Sequence, residues 1–167
     1  MPGDLDHLTR LLADPQVMRY LSATGAPRSR AEAEEALHKH LDHWRQHGYG
    51  VWAVEERDSG AFVGRCGLRY LPELESVEVL WALGSEFWGR GYATEAAHAC
   101  LRYAFETLQL ERVIAFTWAI NDRSRRVMEK LGMHYEKTEP RADLPHLWYA
   151  VTRYEFDAQL ESLTPHA

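Results

Sequence analysis

The two glycines of Trp88-Gly89-Arg90-Gly91-Tyr92-Ala93-Thr94-Glu95 constrain this chain more than any other feature. They stand between a strand-patterned run, Ser76–Leu83, rich in Val, Leu and Trp, and a helix-patterned one, Ala93–Leu108. In the second run Ala96, Ala97, Cys100, Leu101, Ala104 and Phe105 share one side. A strand–glycine turn–helix unit leaves the N–H groups of the first helical turn without partners and puts the positive end of the helix dipole behind them. Glycines keep Cβ atoms out of the way, so a ligand can approach the backbone closely. A phosphate or pyrophosphate suits such a place. Two common phosphate loops are excluded. A dinucleotide fingerprint needs a small residue where Thr94 stands, and a Walker loop needs Gly-Lys-Ser/Thr, which is absent.

Around this unit the 167 residues read as one domain, residues 1–167, of mixed α/β class. Asp14-Pro15 fits an N-cap followed by proline at the first helical position. Ser29 and Glu32 have capping-box spacing, which predicts a helix over Arg30–His47, ended by Gly48 and Gly50. Gly50–Glu55 and Ala61–Tyr70 read as a hairpin around Asp58-Ser59-Gly60. Val113–Trp118 is a buried-looking strand, Asn121–Leu131 a helix stopped by Gly132, and Tyr135–Thr138 and Leu147–Phe156 two final strands.

Charge and cysteine usage narrow the partners. Nineteen basic against 25 acidic residues, net −6, argue against a nucleic-acid or anionic-membrane partner. No apolar run approaches the ~20 residues of a membrane span, and the first residues show no signal-peptide pattern. A cytoplasmic location is expected. Cys66 and Cys100 read as buried structural thiols. His40, His43 and His47 share one face of the second helix, but no carboxylate or cysteine is spaced to complete a metal signature, so no metal is expected.

Several ordered motifs together resemble the GNAT N-acetyltransferases, in particular the RimJ/RimL-like branch. They are Val77-Glu78-Val79-Leu80-Trp81-Ala82-Leu83, Trp88 to Glu95, Asn121-Asp122-Arg123-Ser124 and Glu129-Lys130-Leu131-Gly132-Met133. Asp14-Pro15-Gln16-Val17-Met18-Arg19-Tyr20-Leu21 and Leu147-Trp148-Tyr149-Ala150-Val151-Thr152-Arg153 extend the likeness over nearly the whole chain. The resemblance implies a sheet whose fourth and fifth strands splay to admit acetyl-CoA. The pantetheine arm would pair with Trp81, Ala82 and Leu83. The pyrophosphate would lie on Trp88, Gly89, Arg90, Gly91, Tyr92, Ala93 and Thr94, and Asn121 and Ser124 would touch the CoA arm. That branch begins with a strand before the helix matched here by Asp4–Leu12, so the resemblance leaves the first strand missing or truncated: either the start is assigned late or the edge strand is absent.

Amine acetylation needs a free-base amine and therefore a proton acceptor. The resemblance makes Glu78, on the fourth strand, the first candidate for the base, with Asp143 and Glu139, after the sixth strand, the second. Many relatives place an acidic tyrosine where this chain has Met128. Ser124 is then the candidate donor to the leaving thiolate, or else a cap of the Asn121 helix and a CoA contact. The helix bearing the histidines borders the acceptor cleft in this fold. An arginine of the cluster Arg123, Arg125 and Arg126 is placed to reach a CoA phosphate. The expected acceptor is an amine-bearing small molecule or a peptide N-terminus. A hydrophobic acceptor cleft would fit a peptide, and acidic walls a polyamine or aminoglycoside. The rivals are a catalytically silent acyl-CoA-binding sensor and a transferase using a longer donor such as succinyl-CoA. An unpaired sheet edge makes a homodimer conceivable.

Overall fold

A computed structural model describes residues 4–163. Three helices come first: α1 (Asp4–Ala13), α2 (Pro15–Leu21) and α3 (Arg30–His47). Asp14 caps α2, its side chain accepting from the Gln16 N–H. Ser29 and Glu32 form the reciprocal capping box on α3, which ends at Gly48 in the left-handed conformation, φ 71°. The hairpin β1 (Val51–Glu55) and β2 (Phe62–Leu71) follows, then β3 (Ser76–Leu83) and α4 (Tyr92–Arg102). After them come β4 (Arg112–Trp118), α5 (Asp122–Lys130), β5 (His134–Arg141), β6 (Leu144–Thr152) and α6 (Arg153–Leu163).

The six strands form one sheet in the order β1-β2-β3-β4-β6-β5. All neighbours are antiparallel except β3 and β4, which are parallel and register only at Glu78 opposite Ile114. Beyond that point β3 runs on to Leu83 paired with β2, while β4 runs on to Trp118 paired with β6. The sheet therefore opens in a V. Strand alternation sends Cys66, Leu68, Val77, Val79, Val113, Ala115, Tyr149 and Val151 to one face. There they pack with Leu101 and Phe105 after β3, Met128 of α5 and Phe156 of α6. On the opposite face Leu8, Leu11, Leu12, Val17, Met18 and Ala33 of α1–α3 close over Ala82. Cys66 and Cys100 are both buried thiols, with Sγ atoms 3.6 Å apart.

Three expectations about elements need correction. The helix after the glycines does not stay α-helical to Leu108: past Arg102 it continues as a π-helical turn, Tyr103–Thr107. The last predicted strand, Leu147–Phe156, is really β6 ending at Thr152 and then α6. The physical reason is a second capping box. The Thr152 N–H and hydroxyl both donate to Glu155 Oε2, and the Glu155 N–H donates back to Thr152 Oγ1. Finally, β5 is longer than predicted and β6 begins earlier, at Leu144; the two are joined by Ala142 and Asp143, both at positive φ, 49° and 61°. That is the backbone of a tight two-residue hairpin turn. Exposure all along β5, an edge strand, explains its polar sequence.

Candidate active site

A cleft of about 270 Å³ opens where β3 leaves β4. Its floor is the end of β3, Trp81, Ala82 and Leu83, and its rim is Trp88, Gly89, Gly91, Tyr92, Ala93 and Thr94. Gly89 and Gly91 have φ of 79° and 89°, where a side chain would be strained, and a Cβ on either would meet nothing within 4 Å. Gly91 is the N-cap of α4 and makes no side-chain cap, so the first amides of α4 have no intrahelical acceptor. Tyr92, Ala93 and Thr94 bring those amides to the cleft, and Arg123, Arg126 and Lys130 face them from α5. Among the described residues no carboxylate lines this cleft. The donor set is that of a polyphosphate cradle and fits the pyrophosphate of a CoA thioester. Trp88 is held by its indole N–H, which donates to the Leu83 carbonyl at 2.9 Å, and by Arg123 stacked over its ring.

A second cleft, about 420 Å³, lies on the far side of the V between the sheet and α2–α3. It shares Tyr20, Leu21, Trp81, Asn121 and Ser124 with the first, so the two are continuous. Glu78 lines it and is only 4 % exposed. Arg69, directly across on β2, donates twice to Glu78 Oε2, from Nη2 at 2.6 Å and from Nε at 3.1 Å. Burial pushes the Glu78 carboxyl above its ordinary value, and the Arg69 charge only partly offsets this. Asn121 caps α5: its Oδ1 accepts from the Ser124 N–H and its Nδ2 donates to Ser124 Oγ at 3.1 Å. Ser124 is thus held by the Asn121 cap and stands where the clefts join.

The structure brings together Glu78, Ser124, Asn121, Trp81 and the glycine rim. It does not bring Asp143 there: that side chain is exposed in the β5–β6 turn and lines neither cleft. Glu139 is likewise on exposed β5, paired with Lys137 at 2.9 Å. Arg90 is not among the residues lining the donor cleft and stacks over Phe87, which is. Arg125 is occupied by Asp122 and Glu129. Met128 is fully buried in the core. Sequence reasoning missed the α2 wall of Tyr20 and Leu21, and the β2 pair Arg65 and Arg69. Charges at inward positions of an alternating strand were the available signal for that pair.

His40 and His43 line the second cleft. His43 Nε2 accepts from the Tyr70 N–H, which leaves Nδ1 to donate to the Tyr49 carbonyl. His40 Nε2 lies 2.6 Å from Arg65 Nη1 and accepts from it. Burial, with the Arg65 charge second, pulls His40 from 6.5 to about 3. The folded value lies below the unfolded one, so the unfolded chain takes the proton first as pH falls. Stability should drop from pH 6.5 toward 3, by up to ~1.4 kcal/mol per pH unit. Glu78 acts with the opposite sign: raised above 4.5, it favours the folded state as pH falls through its folded value. Urea unfolding between neutral and acidic pH should show a shallower acid slope for His40→Gln than for the wild type. Equal slopes would place the acid sensitivity elsewhere.

Residues 1–134 match the family described as an acetyltransferase (GNAT) domain. A Bacillus subtilis (strain 168) chain, the uncharacterized protein YkkB, is 34% identical over 130 residues, which span 77% of this chain and 74% of that one. The FsC-acetyl coenzyme A-N(2)-transacetylase of Aspergillus fumigatus is 33% identical over 169 residues, 88% of this chain and 68% of that protein. Among solved structures, an acetyltransferase (GNAT family) from Bacillus anthracis superposes with a TM-score of 0.77 at 25% identity. That match covers 91% of this chain and 90% of the other.

Proposed function

The chain belongs to the GNAT acetyltransferase family, whose members are acyl-CoA-dependent N-acetyltransferases, and from that premise we propose that it moves acetyl from acetyl-CoA directly onto a primary amine with both bound at once. The observation that carries this reading is the continuity of the two clefts at the splay between β3 and β4, with Glu78 at the last paired residue. Direct attack then needs no covalent relay through the protein, and the buried thiols Cys66 and Cys100 are not called on.

Acetyl-CoA supplies the acetyl group already activated as a thioester. An ammonium has no lone pair, so the amine must lose a proton as it attacks. Glu78 takes that proton. Its Oε2 is engaged by Arg69, which leaves Oε1 for the amine. A carboxyl raised by burial holds a proton better than an exposed one, which is what a base working near neutral pH needs. Backbone N–H groups of β3 beyond Glu78 face the opening without β4 as partner and are donors for the carbonyl oxygen as negative charge builds on it. Ser124 Oγ accepts from Asn121, so its own hydrogen remains available to the sulfur as the C–S bond breaks.

The test joins thermal unfolding to turnover. Acetyl-CoA at 100 times its Kd should stabilise the fold by about 2.7 kcal/mol, a rise of roughly 5–10 °C for a domain of this size. Free CoA should then appear only when an amine is added. No shift in a folded protein overturns the donor assignment. A larger shift and faster release with succinyl-CoA replaces acetyl by a longer acyl group. Binding without release for every amine tried leaves the silent sensor.

A further inference from the structure

The acceptor cleft has the opposite sign to the chain around it. The chain carries −6, yet among the described residues Arg28, Lys39, Arg65 and Arg69 line this cleft against a single carboxylate, Glu78. Arg69 is committed to Glu78. Lys39 pairs with Glu35 one turn earlier on α3, and both side chains are mostly exposed; such a pair holds its charge loosely. Arg28 and Arg65 have no carboxylate within ion-pair distance among the described residues.

Arg65 is the telling residue. Its Nη1 bonds neutral His40, and its Nε is sealed from solvent with no hydrogen-bond partner among the described residues. A half-buried guanidinium with no carboxylate at ion-pair distance is costly, and the Glu78 charge, farther off, only partly offsets this. Burial and the nearby Arg69 pull Arg65 down to about 10, so it stays charged at neutral pH. His40 cannot relieve it, because a neutral imidazole offers a lone pair and no charge. The CoA phosphates do not serve here either, since Arg123, Arg126 and Lys130 meet them on the other side of the splay and none of the three lines this cleft.

We propose that the acceptor is an amine that also carries an oxyanion group, a carboxylate or a phosphate, which Arg65 binds with Arg28 and Lys39 at the rim while the amine meets Glu78. This rests on the amine-acetylation reading above and names the substrate class for it. The strand register sets the spacing. Arg65 lies opposite Ala82 and Arg69 opposite Glu78, with Leu80 between them on the cleft floor. The four-residue step separates the Cα atoms of the two arginines by about 13 Å along β2. Anion and amine therefore occupy different ends of the floor, which favours acceptors with several bonds between the two groups. A polyamine or aminoglycoside would add positive charge to a cleft already short of negative charge.

The experiment measures amine-dependent CoA release for matched acceptors. The pairs are ω-amino acids of increasing length against their carboxamides, and 2-aminoethyl phosphate against ethanolamine, with spermidine as a polycation. The anionic member should be preferred at least about tenfold in kcat/KM, a difference of 1.4 kcal/mol. The carboxylate and phosphate arms tell which oxyanion is taken. Arg65→Met should raise KM for the anionic member at least about tenfold more than for its neutral partner, while acetyl-CoA still raises the melting temperature. Arg65→Lys should keep part of the preference. If Arg65→Met does not fold, the double variant Arg28→Ala, Lys39→Ala at the cleft rim should cut the preference instead. Equal or better use of carboxamides or spermidine overturns the inference, as does an intact preference in folded Arg65→Met. Turnover without anion preference sinks this inference alone. Acetyl-CoA binding with no turnover of any amine sinks the transfer reading and this one with it.

Discussion

Glu78→Gln should lower kcat/KM for amine acetylation by about 10²- to 10⁴-fold, the range that a positioned base contributes. Acetyl-CoA binding should survive, because Glu78 does not line the donor cleft. Glutamine keeps the shape and an oxygen for Arg69 but cannot take a proton. The pH profile carries the same information with its sign fixed. Activity requires the carboxylate, so it should fall as pH drops through a folded value that burial has raised above 4.5. Removing the neighbouring charge in Arg69→Met should move that limb to higher pH, since Arg69 is what holds the carboxyl down. Asp143→Asn, out in the hairpin turn, should change neither quantity. Loss of less than about fivefold in Glu78→Gln would leave Glu78 a structural partner of Arg69, with the base elsewhere or with the amine arriving already neutral.

Gly67→Ala should cost about 3 kcal/mol or more, since overpacking against atoms that cannot give exceeds the usual 1–3 kcal/mol. A Cβ at Gly67 would collide with the Gly50 carbonyl oxygen and the Val51 Cα of the neighbouring strand. These are backbone atoms, and the Gly50 carbonyl is pinned by the Leu68 N–H at 3.0 Å. Gly67 does not have positive φ, so replacing it would ordinarily stabilise by ~0.4–1 kcal/mol through the unfolded chain. Contact reverses the sign. The melting temperature should drop by roughly 6–12 °C, and because Gly67 sits between Arg65 and Arg69 the acceptor cleft should be disturbed before the donor cleft. A loss below 1 kcal/mol in urea unfolding would show that β1 slides away freely.

Much of the donor side was readable from the chain, because it depends on local chemistry. Gly89 and Gly91 announce positive φ before a helix, and Asn121 and Ser124 announce a cap, whatever the rest of the molecule does. The acceptor side was not readable, because it depends on which residues folding gathers. Arg28, Lys39, Arg65 and Arg69 come from a loop, a helix and a strand, and their sign is hidden in a net charge of −6. Asp143 illustrates the converse. Position after a late strand suggested a carboxylate near the chemistry, but the turn needed two residues of positive φ and left the side chain in solvent. The boundary of α6 was present as Thr152-Arg153-Tyr154-Glu155 and was obscured by the apolar run continuing through Tyr154 and Phe156.

Tyr20, Leu21, Trp81, Asn121 and Ser124 face both clefts at once. A common wall is a thermodynamic link. When one occupant shifts those side chains toward the arrangement it favours, the other inherits the shift as part of its own affinity, and the factor is the same in either direction. If the two clefts hold donor and acceptor as proposed, their affinities are therefore not two separate properties of two sites. α2, seven residues long, contributes to that common term through Tyr20 and Leu21, beside Trp81 of β3 and Asn121 and Ser124 at the start of α5.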